Sequence, residues 1–468
     1  MKPSNQVFDQ KLFYIFLILI FWLPLPLGSN RPWAWHLMEI VSYGLTAWWL
    51  ILYTYKKVTI TQPLAKSHWL FIPLLSFSGI ILIQLAPLPS SLIQALRPVD
   101  LSLEPSPYIT LSIDSFVSWI HFKQTLAFIC LAFLTLALTN TRDRLRKLAL
   151  TFVITGVIQA LYGALMTLSN LEYGFFIKKE AFHGVATGTF WNRNHMANFL
   201  TLCLSVGIGL LLSELYEKSS SNWRERGRRL ITSLMGNKAR VRICLAIMVI
   251  ALVLTHSRMG NTAFFFSLVA AGLIWLFMTK RVTKGSLILL ISLLIIDTLI
   301  VGAWFGIDKV AERLEGTALT KESRDEVNRD TLTLITNQPL LGSGAGTFYT
   351  AFPQYRGDDI TLYYDHAHND YLQLVAEHGF IGVTPLALLL LTSFTTAIST
   401  MRNRRTLLFQ ALAFAPIMAI SAILLHSTVD FNLQIPANAA FFVIILSMSW
   451  VVRYLPRKTY RRRERSSR

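Results

Sequence analysis

Twelve long apolar runs, separated by shorter polar connections, are the feature that most restricts what this chain can fold into. Each run approaches the roughly 20 apolar residues that a membrane-spanning helix needs. Only 15% of the residues are charged, against about 25% in ordinary globular domains, which excludes a soluble enzyme, a disordered chain and a secreted disulfide scaffold. The pattern predicts an all-α polytopic membrane protein with spans at about 12–28, 33–55, 68–88, 116–139, 148–168, 195–215, 241–256, 261–279, 286–305, 380–399, 407–426 and 437–454.

Basic residues are distributed unevenly between the two sides of this predicted bundle. With a cytoplasmic N-terminus, the inner connections and tails carry 31 of the 44 Lys and Arg residues, and the outer ones carry 13. Such an excess is typical of the cytoplasmic side of membrane proteins. We therefore expect both termini in the cytoplasm. We attribute the net charge of +18 to topology and contact with anionic lipid rather than to nucleic-acid binding.

One outer connection, at 306–379, is much longer than the others, and structureless loops of such length usually have a function. It is therefore the candidate catalytic region. The chain divides into nine spans over 1–305, the large outer loop over 306–379, three spans over 380–454 and a basic cytoplasmic tail over 455–468.

A helix is expected inside this loop. Ser323 and Glu326 form a capping box, which predicts a helix over 324–337 that ends before Pro339. A glycine-rich string follows at 342–346. We interpret it as a connector rather than as a turn that holds its backbone against an anion, because a string of glycines alone is weak evidence for a site.

Histidines cluster near the end of the loop. Asp370, as an N-cap with Gln373 three residues on, predicts a helix from about Tyr371 to Gly379. His368 then lies just before that helix, whose positive end disfavours imidazolium. A neutral imidazole is what a general base requires, so His368 is the candidate catalytic base.

Two other interpretations of this cluster stay open from the residues alone. His-x-His spacing beside carboxylates occurs in metal sites, and the same side chains can form a structural hydrogen-bonded cluster. Against a metal, two of the candidates fall inside or beside a helix cap, and no separate cluster completes a site. The residues concerned are Asp365, His366, His368, Asp370 and His378.

Four of the arginines on the predicted outer side are candidates for binding an anionic substrate. Arg258 stands between two apolar runs with almost no loop, so it lies at the outer membrane face. It either anchors the helix by snorkelling or holds a phosphate with its planar guanidinium. Arg193, at the outer start of span six, presents the same choice. Arg324 and Arg356 belong to the large loop and add further positive charge.

Polar residues also follow span eleven. His426 and Asp430 lie at its outer end, and we interpret them as packing partners that fix the connection. Asn194 beside Arg193, and Asn369 with His366 and Asp370 around His368, complete the set of supporting residues.

Taken together, four stretches resemble the O-antigen ligase and polymerase superfamily of bacterial envelope glycosyltransferases. They are 188–198 (GTFWNRNHMAN), 256–260 (HSRMG), 324–371 with its PLLGSGAGTF and HAHNDY elements, and 426–439 (HSTVDFNLQIPANA). The ligase signature is His, then Asn, Ser or Gln, nine residues, Gly, two residues, and Gly, Thr or Tyr. His368-Asn369 is followed by nine residues, Gly379, two residues and Gly382, which is a full match.

This resemblance implies a GT-C-like glycosyltransferase of the bacterial inner membrane that needs no metal or other cofactor. Its donor would be a glycan on undecaprenyl diphosphate at the periplasmic face. Its acceptor would be a sugar hydroxyl of lipid A-core in a ligase, or of a growing glycan in a polymerase. By the same resemblance His368 is the catalytic base, while Arg258 and Arg324 hold the diphosphate. Arg193 and Arg356 join this set from position and charge only.

Several alternatives remain within and beyond this class. Ligases, exopolysaccharide polymerases and protein O-glycosylating transferases share these motifs, and we take the ligase type as the leading interpretation. A small-anion transporter is the main non-enzyme alternative, because twelve spans is a common transporter count. Transporters tend to contain inverted repeats and broken helices at the membrane centre. No repeat between the halves is evident, and the polar residues concentrate on one side.

Overall fold

The computed structural model describes residues 3–96, 106–214, 237–279, 324–360 and 362–456, with isolated positions at 287, 291, 292 and 295. The chain is built from helices with two very short hairpins. The strands are β1 (Leu88–Pro89) paired antiparallel with β2 (Tyr108–Ile109), and β3 (Tyr173–Gly174) paired antiparallel with β4 (Ile177–Lys178).

The helices, in chain order, are α1 (Pro3–Trp22), α2 (Pro32–Thr54), α3 (Gln62–Ala65), α4 (His68–Leu85), α5 (Ser90–Leu96), α6 (Ser115–Leu138), α7 (Arg142–Leu168), α8 (Arg193–Glu214), α9 (Asn237–Leu254), α10 (Arg258–Met278), α11 (Arg324–Asn337), α12 (Phe348–Ala351), α13 (Asp370–Asn403), α14 (Leu407–Leu412), α15 (Phe414–His426) and α16 (Pro436–Tyr454). Short 3₁₀ turns lie at Leu27–Ser29, Phe352–Gln354 and Asn432–Gln434.

Nine helical segments in the described part are long and apolar enough to cross a membrane. They coincide with predicted spans two to six, eight and ten to twelve. Helices α1 and α9 fall on predicted spans one and seven. Predicted span nine and the beginning of the large loop lie largely or wholly outside the described residues. The prediction of an all-α polytopic membrane protein is confirmed.

Helix α8 lies at the centre of the bundle. Of its apolar 18-residue window, 94% is buried, as expected of a helix that is apolar on all sides. Glycine permits a close backbone contact of this helix: a Cβ at Gly209 would lie 2.8 Å from the carbonyl oxygen of Ala411. Helix α14 therefore packs directly on the backbone of α8 near its C-terminal end. At the other end, Asn438 Nδ2 of α16 donates to His195 O at 3.2 Å and ties the start of α8 to the C-terminal helices.

Helix α11 confirms the prediction of a helix over 324–337. Its proposed cap, Ser323, lies outside the described residues. The second loop helix differs from the prediction, because it changes direction at Gly379 (φ 64°, ψ 177°) and continues as the long span to Asn403. At this kink, Phe380 N–H donates to Pro339 O at 2.8 Å and Ile381 N–H to Leu340 O at 3.1 Å, so these backbone groups are satisfied by the preceding loop.

The glycine-rich string is a close-packed connector. Gly342 and Gly346 both have positive φ, 66° and 71°, a region that side chains with a Cβ rarely adopt. A Cβ at Gly342 would collide with the backbone of Glu377. The N–H of Gly346 donates to the Glu377 carboxylate at 3.0 Å. This turn therefore packs against the first part of α13, and its glycines allow that close contact.

We predict that Gly342→Ala destabilises the protein, because the substitution adds backbone strain and a collision with Glu377. The strain alone costs about 1–3 kcal/mol, so the apparent Tm of the purified protein should fall by several degrees. Gly44→Ala is the matched control, since a Cβ there meets nothing within 4 Å and its φ is ordinary. Equal Tm values for the two variants would contradict the packing role.

Candidate functional site

The site forms where three chain segments meet at one end of the bundle. They are the start of α8, the start of α13 and the connection over 427–435 between α15 and α16. The N–H of Asp370 donates to the carbonyls of Ser427 and Asp430 at 3.0 and 3.1 Å. The carboxyl group of Asp370, whose pKa burial raises to about 8, accepts from Ser427 Oγ at 2.8 Å and from Leu433 N–H at 3.3 Å. Asp370 thus fastens the loop helix to the connection.

The cap of α13 corrects the sequence prediction. Asn369, not Asp370, is the N-cap, and its side-chain oxygen accepts from the N–H groups of Tyr371 and Leu372 at 3.0 and 3.2 Å. Asp370 is the first residue of the helix instead. The prediction was wrong because the Asp370 side chain accepts a hydrogen bond from Ser427, which is distant in sequence. It is therefore not used to cap the helix locally.

Asp430 is the buried charge of the site. Its side chain is fully buried, and its Oδ1 lies 3.7 Å from His195 Nε2 and 4.0 Å from His368 Nδ1. Burial alone would raise the pKa of this carboxyl. The interaction with His195, the nearby His426 imidazole and the N–H of Phe431 at 2.9 Å lower that pKa well below its usual range. Asp430 is therefore ionised at neutral pH.

The ring of Phe431 organises the histidines around this carboxylate. His366 stacks on it with centroids 4.2 Å apart, while His195 and His368 meet it edge-on at 4.7 and 4.8 Å. Four rings from three segments therefore form one packed group. His195 and Phe431 were missed by sequence reasoning, because only the folded chain brings residues so distant in sequence together.

His368 is a partly accessible member of this group. Its side chain is 19% exposed, against 6% for His195. Its backbone φ of 51° is uncommon for a non-glycine residue and is often found at functional sites. The position predicted for His368, just before the start of α13, is the one it occupies.

His366 is tied to the interior rather than to His368. Its Nδ1 lies 3.0 Å from Gln373 Nε2, and Gln373 in turn donates to Glu377 at 3.0 Å. Gln373 also accepts from the N–H of Ala367 at 3.2 Å. Burial lowers the pKa of His366 to about 4, so this imidazole is neutral at pH 7.

Three of the four arginines lie near this end of the bundle. Arg324, in the first turn of α11, donates from Nη1 to Val429 O at 3.4 Å, next to Asp430. Arg193 begins α8 two residues before His195, with its guanidinium 5.8 Å from the Phe182 ring. Arg258 begins α10 and its side chain is exposed; two residues on, Gly260 packs against Ala197 in the start of α8.

Arg356 differs from the other three. Its side chain is exposed, and the adjacent Gly357 is held by Asp330 of α11, whose Oδ2 accepts from Gly357 N–H at 2.8 Å. Among the described residues, no contact joins Arg356 to the group around Phe431. A different arginine, Arg31, lies at the site instead, with its guanidinium 5.9 Å from the Trp191 ring. Sequence reasoning missed Arg31.

The remaining supporting residues divide between the site and the interior. His426 is buried near Asp430. The N–H of Asn194 donates to Asn192 Oδ1 at 2.8 Å and helps to begin α8. His378 lies apart, against the ring of Phe77 at 4.7 Å. Across the described ranges, no group of three or more His, Cys, Asp or Glu side chains is arranged to hold a metal ion.

A polar and an apolar cavity flank the loop segment that carries His368. The polar cavity has a volume of about 230 Å³ and is lined by His195, Asp365, His366 and Phe431 among others. The apolar cavity, of about 300 Å³, begins at Asp370 and Tyr371 and extends between α4, α6, α13, α15 and α16. A mixed polar and apolar site of this kind suits a substrate that is part sugar and part lipid.

The helical fold and this site define a polytopic membrane protein with a histidine-rich centre at one end of its bundle. Residues 243–387 match a family model described as O-antigen ligase, so this part of the chain is similar to that family. The matched range includes Arg258, Arg324 and His368, while Asp430 lies beyond it. No curated protein matches the chain.

We predict that Asp430→Asn lowers stability by a similar amount at every pH from 5 to 8. A carboxylate whose folded-state pKa is depressed contributes stability above its unfolded pKa of about 3.9 and loses it only as pH falls further. The expected loss is about 1–3 kcal/mol, measured as the apparent Tm of purified protein at several pH values. Asp358→Asn, at an exposed position, is the control. A difference that vanished between pH 8 and pH 5 would show that Asp430 is not held ionised.

Proposed function

We propose that this protein is a glycosyltransferase of the O-antigen ligase type, which transfers a glycan from undecaprenyl diphosphate to a sugar hydroxyl of lipid A-core at the periplasmic face. The observation that carries the proposal is His368: it completes the ligase signature, it is accessible, and it lies beside the ionised carboxylate of Asp430. The family match and the membrane-spanning helices support the class of reaction.

His368 acts as the general base in this proposal. It takes the proton of the acceptor hydroxyl as that oxygen attacks the anomeric carbon of the donor sugar. Asp430 lies 4.0 Å from His368 Nδ1, where its negative charge stabilises the imidazolium that forms. Attack from the side opposite the diphosphate inverts the anomeric centre, and the diphosphate departs with the bonding electron pair.

Arginines hold the departing diphosphate, which needs no proton if its charge is compensated. Arg324 is the best placed, because its contact with Val429 O keeps it one residue from Asp430. Arg258 and Arg193 begin helices that pack together at the same end. Arg356 is the weakest member of the predicted set, since its neighbours hold it against α11.

The apolar cavity suits the isoprenoid chain of the donor. It starts beside the site at Asp370 and Tyr371 and is then lined mainly by apolar side chains of five helices, such as Leu74, Leu390 and Leu446. A chain lying there would leave its diphosphate near the start of α13. The cavity thus supports a lipid-linked donor over a freely soluble one.

We expect His368→Ala to reduce transfer by about 10²–10⁴-fold, the contribution of a positioned general base, while the donor lipid still binds. Wild-type transfer should also fall as pH drops and the base is protonated. Burial lowers the pKa of His366 to about 4, so protonation of that residue contributes little to a loss near neutral pH. Turnover is measured on purified protein in nanodiscs, with donor binding measured separately.

The control for this variant is His183→Ala, which removes an exposed imidazole of the 169–194 connection and should transfer normally. Near-normal turnover of His368→Ala would contradict the assignment of the base.

We expect Arg324→Ala to weaken donor binding and transfer together, and Arg258→Lys to impair transfer although the charge is kept, because the ammonium group lacks the planar fork of guanidinium. A loss of roughly tenfold or more corresponds to about 1.4 kcal/mol of lost binding. Arg402→Ala, at an exposed position on the opposite end of α13, is the control. Unchanged donor binding in both variants would leave the arginines as membrane anchors.

The acceptor is tested by the glycan banding of the cell envelope in a deletion strain. Loss of all long glycan chains from lipid A is the result expected of a ligase. A single repeat unit left on lipid A would instead assign the protein as a polymerase, and unchanged lipopolysaccharide with unglycosylated protein would assign it as a protein O-glycosylating transferase.

A further inference from the structure

We propose that the polar cavity beside Phe431 is the subsite for the acceptor sugar, and that Arg31, Trp191 and Asp365 determine which acceptor is used. This inference rests on the proposed function and adds to it a location for the second substrate. It assigns a role to the connection between α1 and α2, which no motif of the sequence singles out.

The lining of this cavity has the chemistry of a sugar site. Trp191 lines the cavity and is 39% exposed. An accessible aromatic ring of this kind can pack against the C–H face of a sugar. Around it stand a guanidinium, two amides and a carboxylate, groups that donate to or accept from sugar hydroxyls. These polar side chains belong to Asn30, Arg31, Asn192 and Asp365.

The size of the cavity also fits. Its volume of about 230 Å³ is slightly below the roughly 300–1,000 Å³ of pockets that hold drug-sized molecules, so it accommodates about one sugar unit. Its inner wall is Phe431 with His195 and His366. A sugar placed there would lie against Phe431, the ring that His368 meets edge-on at 4.8 Å.

The two cavities are separated by the short segment that carries the site. Asp365 and His366 line the polar cavity, whereas Asp370 and Tyr371 line the apolar one. His368 lies between these pairs along the chain. A donor whose isoprenoid chain occupies the apolar cavity would leave the polar cavity free for the acceptor.

Arg31 and Trp191 form the outer part of the cavity. The guanidinium of Arg31 lies 5.9 Å from the indole ring of Trp191, a distance at which the two attract each other. Both side chains are exposed. They come from the start of α2 and from the segment before α8, so the orientation of the indole depends on a contact between segments 160 residues apart in the chain.

The first test measures transfer kinetics with purified protein in nanodiscs, a lipid-linked donor, and lipid A-core from the producing strain as acceptor. Trp191→Ala and Arg31→Ala should each raise the KM for the acceptor about tenfold, with kcat and the donor KM nearly unchanged. Phe176→Ala is the matched control, because Phe176 is 88% exposed on the same connection and is not part of either cavity. A rise in the donor KM alone would assign the cavity to the donor glycan and overturn the proposal.

The second test does not require turnover. A cysteine is introduced by Asn30→Cys in a His368→Ala background, and its rate of reaction with a maleimide is measured against the same background without it. Core oligosaccharide released from the acceptor lipid should slow labelling several-fold, and the lipid-linked donor alone should not. His183→Cys, outside the cavity, should react at the same rate with and without the oligosaccharide.

The two tests separate this inference from the proposed function. If no transfer occurs with wild-type protein but the oligosaccharide protects Asn30→Cys, the sugar subsite stands and the proposed reaction fails. If transfer occurs normally and neither cavity variant changes the acceptor KM, the reaction stands and the subsite is wrong. Absence of protection at saturating oligosaccharide would also overturn the subsite.

Discussion

The arrangement of the site depends on one buried carboxylate. Removing an ion from water costs several kcal/mol unless partners compensate its charge, and Asp430 is fully buried. Its compensation comes from the imidazole of His195, which belongs to α8, and from the N–H of the following Phe431. The connection over 427–435 is therefore stable only where the first turn of α8 reaches it, and the fully enclosed position of α8 at the bundle centre fixes that turn.

A second set of hydrogen bonds extends this order to the loop helix. Glu377 accepts from Gln373 and from the N–H of Gly346, and its own carbonyl accepts from Gln84 of α4 at 2.9 Å. Gln84 also donates to Leu341 O at 2.6 Å. The start of α13 is thus held by a membrane helix on one side and by the glycine-rich turn on the other. A base needs such support, because small displacements from the reacting atom cost large factors in rate.

Local patterns predicted much of this structure, and contacts between distant segments account for the rest. Apolar runs located the spans, and the position of His368 followed from the capping pattern around Asp370. The identity of the N-cap residue did not follow from that pattern, because the Asp370 carboxyl group instead accepts a hydrogen bond from Ser427, 57 residues later. Likewise His195 and Phe431 are brought together from positions 236 residues apart. No periodicity or spacing predicts such a pair, whereas a short polar motif at a helix end does indicate that some partner exists.

The position of the histidine group at the end of the bundle has a consequence for any lipid-linked substrate. The polarity of such a molecule changes within a few ångströms along its length. Its isoprenoid chain prefers the membrane interior, whereas its diphosphate and sugar prefer water. The surroundings change in the same way along the segment from Asp365 to Tyr371. Side chains at its first end line the polar cavity, and those at its second end line the apolar one. A reacting bond held at this boundary would keep each part of the substrate in its preferred surroundings. The ionised Asp430, enclosed just beneath, would then act on the imidazolium through protein rather than through water, where its effect would be weakened by screening.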